Sequence, residues 1–147
     1  MNAEPSAATG ADEPHGTLCL QTVAMPADTN PNGDIFGGWL MAQMDIAGGI
    51  AARPRAGGRI VTIAVEAMVF HKPVNVGDVL CVYAAEARVG RTSISYAMEA
   101  WVIRRDTMAR EKVTAARFTY VAIDDAGRPR PVPPGAAAGP GTGTLEV

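Results

Sequence analysis

A carboxylate inside an apolar segment is the first residue of this sequence that could do chemistry. Asp45 lies two turns into a stretch of Trp, Leu, Met, Ile, Ala and Gly that predicts a helix from about Gly37 to Ala52. A helix that is apolar on nearly every face is normally buried, and a buried carboxylate without a partner costs free energy. No Lys, Arg or His lies within about a turn of Asp45. We therefore expect either that a distant group satisfies Asp45 or that its carboxylate takes part in a reaction.

Two glycines, Gly37 and Gly38, stand where this helix is predicted to begin. The first N–H groups of a helix have no intrahelical acceptor and lie at the positive end of its dipole. Because glycine has no side chain, a ligand can approach this backbone closely. Such a terminus can bind a carbonyl oxygen that becomes an oxyanion. With Asn30 in the preceding turn, these are the groups needed to polarise a carbonyl and deliver water to it.

Each of these residues also has a purely structural interpretation. Asp45 could be hydrogen-bonded across a dimer interface, and the two glycines could merely permit close packing. Asn is common in turns and helix caps, which gives Asn30 a second possible role. Asp34, in the same turn, is expected to be a turn or capping residue. The residue types by themselves leave these alternatives open.

Counts of residue types disfavour several other classes of site. The chain has two histidines, so a His-rich metal site is not expected. It has three serines and no G-x-S-x-G, which disfavours a Ser-His-Asp hydrolase. Neither G-x-G-x-x-G nor a P-loop occurs. The net charge of −2 argues against a general nucleic-acid-binding protein.

The sequence also indicates a compartment. No run of about 18 apolar residues occurs, and residues 1–14 lack the basic and apolar regions of a secretory signal. We therefore expect no membrane partner and a cytoplasmic location. Cys19 and Cys81 have no CxxC spacing, and they are expected to be small buried residues rather than a disulfide.

The hydrophobic period predicts one domain, residues 16–133, between disordered tails at 1–15 and 134–147. The helix is expected to end near Pro54, because the residue before a proline avoids helical geometry. Period-two patterns and turn residues predict five strands, at 17–24, 59–70, 78–89, 92–104 and 111–123.

This order of elements predicts a two-layer α+β domain. Short connections favour an antiparallel sheet, with the last four strands in a meander. A five-stranded sheet would then wrap round one long central helix. The small residues that would allow close approach are Ala42, Ala47, Gly48, Gly49, Ala51 and Ala52.

Four stretches of the chain resemble bacterial YciA-type acyl-CoA thioesterases, which have the hotdog fold. They are A-M-P-A-D-T-N-P-N-G-D-I-F-G-G-W-L-M-A-Q-M-D-I-A-G-G, V-T-I-A-V-E-A-M-V-F-H-K-P-V-N-V-G-D-V, G-R-T-S-I-S and F-T-Y-V-A-I-D-x-x-G-R-P-R-P-V-P. The likeness covers about residues 17–133. The motif around the two glycines and Asp45 is specific, whereas the general hotdog pattern is shared with dehydratases and with non-catalytic proteins.

The resemblance implies hydrolysis of acyl-CoA to a carboxylic acid and CoA. Asp45 matches the catalytic carboxylate, as base or nucleophile, and Asn30 matches the loop Asn. Gly37 and Gly38 match the oxyanion hole. The resemblance also implies a homodimer with shared active sites, assembled into a hexamer as a trimer of dimers, and no cofactor beyond the CoA of the substrate.

A CoA head group carries phosphates, which cations would bind, and a strand edge could bind the pantetheine arm. The residues near turns that could supply these are His71, Lys72, Arg88, Gly90, Arg91, Thr92 and Ser93. Each of them could equally be an ordinary solvated surface residue.

Two other functions remain open on this fold. A non-catalytic acyl-CoA sensor would bind without turnover, and it usually carries a DNA-binding segment that this sequence lacks. A hydratase or dehydratase would want a catalytic His beside its acid, but His71 lies neither on the predicted helix nor on the loop that leads into it.

Overall fold

The computed structural model describes residues 13–135, which form five strands and one long helix. The predicted elements are all present, with strand ends that differ by one residue. Most of the two predicted tails lies outside the described residues. In chain order the elements are β1 (Thr17–Val23), a short 3-10 helix (Pro26–Asp28), α1 (Gly37–Ala56), β2 (Ile60–Phe70), β3 (Val79–Val89), β4 (Ser93–Ile103) and β5 (Arg110–Ala122).

Helix α1 continues one turn beyond its predicted end, with Pro54 inside it. The prediction of a stop before Pro54 was wrong because a proline in the last turn removes only the one hydrogen bond that its missing N–H would have made. The helix ends instead at Gly57, whose φ of 75° is the left-handed conformation favoured by glycine. The Gly57 N–H donates to the carbonyl of Arg53 at 2.9 Å. Within residues 13–135, no helix combines the length and the apolar character that crossing a bilayer requires.

The sheet has the strand order β1-β3-β4-β5-β2, and every neighbouring pair is antiparallel. The predicted antiparallel sheet is confirmed, but the predicted four-strand meander is wrong. Only β3, β4 and β5 form a meander, whereas β2 pairs with β5 and lies at an edge. The connector from β2 to β3, residues 71–78, can reach about 26 Å. That exceeds the three strand spacings, about 14 Å, that it must cross.

Small residues bring the helix close to one face of the sheet. Ala47, Gly48 and Ala52 are buried, as predicted, but Ala42 is exposed and does not serve this packing. Gly49 and Ala51 are half-buried. The large side chains that are fully buried in the core include Met44, Leu80, Val82, Ile94, Met98, Phe118 and Tyr120.

Edge strand β2 carries an unusual amount of exposed apolar surface. Its large apolar side chains are between 37% and 58% exposed at Val61, Ile63, Val65, Val69 and Phe70. Natural proteins usually protect an edge strand with charges, prolines or a covering segment. An apolar edge of this kind is typical of a surface that another chain covers.

Candidate active site

The Asp45 carboxylate is half-buried and is held by hydroxyl groups from two strands. The Thr62 Oγ1 donates to Asp45 Oδ1 at 2.7 Å. The phenol of Tyr120 lies 3.2 Å from the same oxygen and 3.0 Å from the backbone carbonyl of Asp45. In the described part of the chain, Asp45 forms no ion pair and its Oδ2 accepts no hydrogen bond. One carboxylate oxygen is therefore satisfied by distant groups, and the other is left for water or a ligand.

The two hydroxyls reach Asp45 together because of strand register. Thr62 and Tyr120 are direct partners in the antiparallel pair of β2 and β5, so their side chains project from the same face of the sheet. Burial, and then the charge and hydrogen bond of Asp45, raise the pKa of the Tyr120 phenol well above its usual range. The phenol therefore remains a donor. Sequence reasoning missed both residues, because they lie 17 and 75 positions from Asp45.

The start of α1 offers unused backbone donors. Within residues 13–135, the N–H groups of Gly37 and Gly38 have no acceptor, whereas the N–H of Trp39 already donates to the carbonyl of Phe36. No side chain caps this terminus. A Cβ on Gly38 would meet nothing within 4 Å, and one on Gly37 would touch the Phe70 ring at 3.4 Å. Both N–H groups are thus open to a ligand that approaches the helix end.

A cleft of about 320 Å³ opens at this helix terminus. One of its walls comes from the loop and first turn of α1 and the other from the end of β2 and the connector that follows it. Its floor is mostly apolar, and His71 and Lys72 add polar groups. The lining residues are Ile35, Phe36, Gly37, Leu40, Phe70, His71, Lys72, Pro73 and Val74. The arrangement can bind an apolar group beside the two free N–H groups.

Asn30 shapes the loop that leads into α1. Its Oδ1 accepts hydrogen bonds from the backbone N–H groups of Asn32 at 2.8 Å and Asp34 at 3.1 Å. The turn interpretation of Asn30 therefore holds for its side-chain oxygen. Among the described residues its side-chain nitrogen has no partner, so that nitrogen can still donate to a ligand. Asp34 enters the turn through its backbone, and its side chain does not cap the helix.

The residues expected to bind CoA fall into two groups at opposite ends of the sheet. Arg88 and the turn 90–93 lie near the start of β2, where the N–H of Ala122 donates to the carbonyl of Thr92 and Ala122 pairs with Ile60. His71 and Lys72 follow the other end of β2, about 30 Å away at the usual strand rise. Within one chain the predicted set does not come together. In the described residues, no group of three or more His, Cys, Asp or Glu side chains is placed to hold a metal ion.

The chain is similar to known proteins along most of its length. Residues 32–109 match the sequence profile of the thioesterase superfamily. The chain is 56% identical, over 123 residues, to the acyl-CoA thioester hydrolase YciA of Salmonella typhimurium, a match that covers 82% of this chain and 92% of that protein.

Two solved structures extend the comparison to three dimensions. A hexameric thioesterase from Yersinia pestis superposes with a TM-score of 0.80 at 56% identity, covering 84% of this chain and 100% of that one. A hexameric hotdog fold thioesterase of Campylobacter jejuni gives 0.76 at 43% identity, covering 80% and 91%.

Proposed function

Because the chain belongs to the thioesterase superfamily, we propose that it hydrolyses acyl-CoA thioesters to the free carboxylic acid and CoA. One observation carries the proposal: a carboxylate with one unoccupied oxygen, Asp45, shares a helix with two unpaired N–H groups at its start. Thioester hydrolysis needs these two elements, since one activates the nucleophile and the other stabilises the oxyanion. Water is the only co-reactant, so we infer that no cofactor is required.

The N–H groups of Gly37 and Gly38 would bind the thioester oxygen. As the tetrahedral intermediate forms, negative charge grows on that oxygen, and donors at a helix N-terminus favour it. Asp45 would take a proton from the attacking water and return it to the sulfur as the C–S bond breaks, so that CoA leaves as its thiol and the carboxylate is regenerated. Alternatively, Asp45 would attack the carbonyl itself and displace CoA as its thiolate, giving a mixed anhydride that water then hydrolyses to the free acid and the Asp45 carboxylate. Both routes use the Asp45 carboxylate and the same oxyanion donors, so the proposed roles hold for either route.

The spacing of these groups supports a site shared between two subunits. Gly37 and Asp45 are eight positions apart on one helix, about 12 Å along its axis. A single thioester carbonyl cannot contact both groups across that distance. We infer that Asp45 of one subunit works with the oxyanion hole of its partner. The apolar edge of β2 would join the two subunits, and the hexameric relatives support three such dimers in one assembly.

A dimer of this kind would also reunite the two groups of CoA-binding residues. If two β2 strands pair antiparallel, the start of one lies beside the end of the other. His71 and Lys72 of one subunit would then approach the turn 90–93 and Arg88 of its partner. We propose that CoA binds across this junction, with its phosphates near the cations and its thioester directed to Gly37.

The test is thiol release from a series of acyl-CoAs, from short to long chains, with the wild type and Asp45→Asn side by side. We expect turnover of the variant to fall by at least about 100-fold while its melting temperature stays close to that of the wild type. Asp34→Asn removes an exposed carboxylate from the nearby loop and should leave turnover unchanged.

Two outcomes would contradict the proposal. Near-normal turnover in Asp45→Asn would exclude Asp45 as the catalytic carboxylate. If the wild type binds acyl-CoA in a titration but releases no thiol from any member of the series, the protein is a non-catalytic acyl-CoA-binding protein instead.

A further inference from the structure

The phenol of Tyr120 contacts Asp45 at two atoms. Its oxygen lies 3.0 Å from the backbone carbonyl oxygen of Asp45 and 3.2 Å from Oδ1 of the same residue. A group that spans the main chain and the side chain of one residue restricts the rotation of that side chain. The Thr62 hydroxyl bonds only to Oδ1, and by itself it would leave the carboxylate free to pivot about that oxygen.

Gly48 makes this contact possible. It lies one turn from Asp45 on the buried face of α1, directly against the Tyr120 ring. A Cβ at this position would lie 2.8 Å from Cζ of Tyr120 and would overlap the phenol oxygen. The neighbouring Gly49 has no such constraint, because a Cβ there would meet only Ile60 Cδ1 at 4.0 Å. The absence of a side chain at Gly48 is what lets the phenol reach the helix.

Tyr96 is a neighbouring tyrosine whose contacts are purely structural. It is 5% exposed, against 2% for Tyr120, and the two rings pack edge to face with centroids 6.3 Å apart. The Tyr96 hydroxyl also donates to a backbone carbonyl of α1, that of Ala51, at 3.3 Å. No carboxylate of the described residues bonds to it. The two tyrosines thus differ chiefly in whether the phenol touches Asp45.

We propose that Tyr120 is a positioning residue for the hydrolytic reaction, which orients the Asp45 carboxylate by holding Oδ1 so that Oδ2 is left to act. This role rests on the proposed function of Asp45. Tyr120 is only 2% exposed, so it acts on the substrate through Asp45.

The experiment measures kcat and KM for one acyl-CoA in Tyr120→Phe and Tyr96→Phe. Each variant removes one buried hydroxyl and keeps the ring, so the two serve as a matched pair. We expect kcat to fall about 10-fold in Tyr120→Phe, as for a lost hydrogen bond to a charged group, with KM within about twofold of the wild type. Tyr96→Phe should keep both parameters within about twofold.

A second pair of variants tests the contact without removing the hydroxyl. Gly48→Ala should displace the phenol from Asp45 and reduce kcat in the same way, whereas Gly49→Ala should not. Should Gly48→Ala unfold at the assay temperature, the tyrosine pair still decides the matter, because Tyr to Phe adds no volume.

Parallel assays of Asp45→Asn separate the two levels of the proposal. If Asp45→Asn is inactive but Tyr120→Phe is as active as the wild type, the positioning role of Tyr120 is overturned and the hydrolytic function stands. If Asp45→Asn retains turnover, the proposed role of Asp45 fails whatever the tyrosine variants do. Equal losses of kcat in both tyrosine variants would show a general packing effect and would also overturn the positioning role.

Discussion

Asp45 illustrates how a carboxylate can stand inside an apolar helix without a cation beside it. The sequence offered two explanations for this carboxylate, a distant hydrogen-bond partner or a part in a reaction. In the structure the two explanations apply to different oxygens of Asp45. Oδ1 lies against the hydroxyls of Thr62 and Tyr120, while Oδ2 has no partner in the described residues. Hydroxyl donors lower the cost of desolvation without neutralising the charge. A carboxylate arranged in this way keeps its capacity to act as a base or nucleophile.

Asn30 has a structural and a proposed catalytic role that sit on different atoms, so one substitution can separate them. Asn30→Asp keeps an oxygen for the N–H groups of Asn32 and Asp34 but removes the amide donor. If the donor orients water or the thioester, turnover should fall by about 100-fold, with the melting temperature nearly unchanged. Thiol release and thermal denaturation measure the two effects.

The matched control is Asn32→Asp, which adds the same charge to the same exposed turn. It should retain turnover, because no hydrogen bond of the Asn32 side chain is present in the described structure. If Asn30→Asp and Asn32→Asp have equal activity, the side chain of Asn30 only stabilises the turn and has no catalytic role.

At the scale of elements, a largely buried cation fixes the connector between β2 and β3. Arg104, just after β4, donates to Asp78 Oδ2 at 2.7 Å, to the carbonyl of Pro73 at 2.8 Å and to Glu111 Oε1 at 2.8 Å. The side chains of Arg104 and Asp78 are 14% and 3% exposed. Because Pro73 is part of the cleft wall, this network holds one side of the cleft against the helix terminus.

The same network should make stability depend on acid. Burial by itself would raise the pKa of Asp78, but the N–H groups of Arg105 and Asn75 and the Arg104 guanidinium outweigh it and lower that pKa. A lowered pKa in the folded state means that this stabilisation is complete above the usual range of Asp, about pH 4, and is lost as the pH falls through the lower folded value. Asp78→Asn should therefore reduce the free energy of unfolding at pH 7 by about 3 kcal/mol.

Urea denaturation between pH 7 and pH 2.5 checks this, since the gap between wild type and Asp78→Asn should narrow as the pH falls below about 4. Asp106→Asn is the control, because its carboxylate also pairs with an arginine, Arg105, but is 80% exposed. It should change stability little at any pH. A gap for Asp78→Asn that stays constant with pH would contradict the assignment.

At the scale of the whole molecule, the proposed function implies that each site is built from two chains. Two features lead to the same two-fold assembly. The oxyanion donors and the carboxylate are separated by about 12 Å along α1, and the edge of β2 is apolar and exposed. Assembly and activity should then be lost together.

Ile63→Glu tests this link, because Ile63 is 58% exposed in the chain and lies on edge strand β2. A two-fold interface carries the substitution twice, so two unpaired buried charges, each costing about 3 kcal/mol, should raise the dimer dissociation constant by about 10,000-fold. We expect a smaller mass by light scattering and a loss of thiol release that is partly recovered at high protein concentration.

Met108→Glu places the same charge on an exposed apolar residue between β4 and β5, where Met108 is 71% exposed. It should change neither the mass nor the activity. A fully active monomer of Ile63→Glu would show that each chain holds a complete site.

The sequence alone determined the features that depend on neighbours along the chain. The positions of the helix and strands, the glycine pair, the turn at Asn30 and the carboxylate at Asp45 follow from hydrophobic period and turn chemistry, which act over a few residues. The relatives confirm the family resemblance. The sequence could show that resemblance because contiguous motifs carry it.

Only the tertiary structure decided which distant groups meet. The hydroxyls of Thr62 and Tyr120 reach Asp45 because of strand register and the space left by Gly48. Placing β2 beside β5 rather than β3 depends on how the connector 71–78 crosses the strand ends. The last carbonyl of α1, that of Ala56, accepts a hydrogen bond at 2.7 Å from the Arg130 side chain, 74 positions further along the chain. Such contacts join residues far apart in the chain, and no local pattern specifies them.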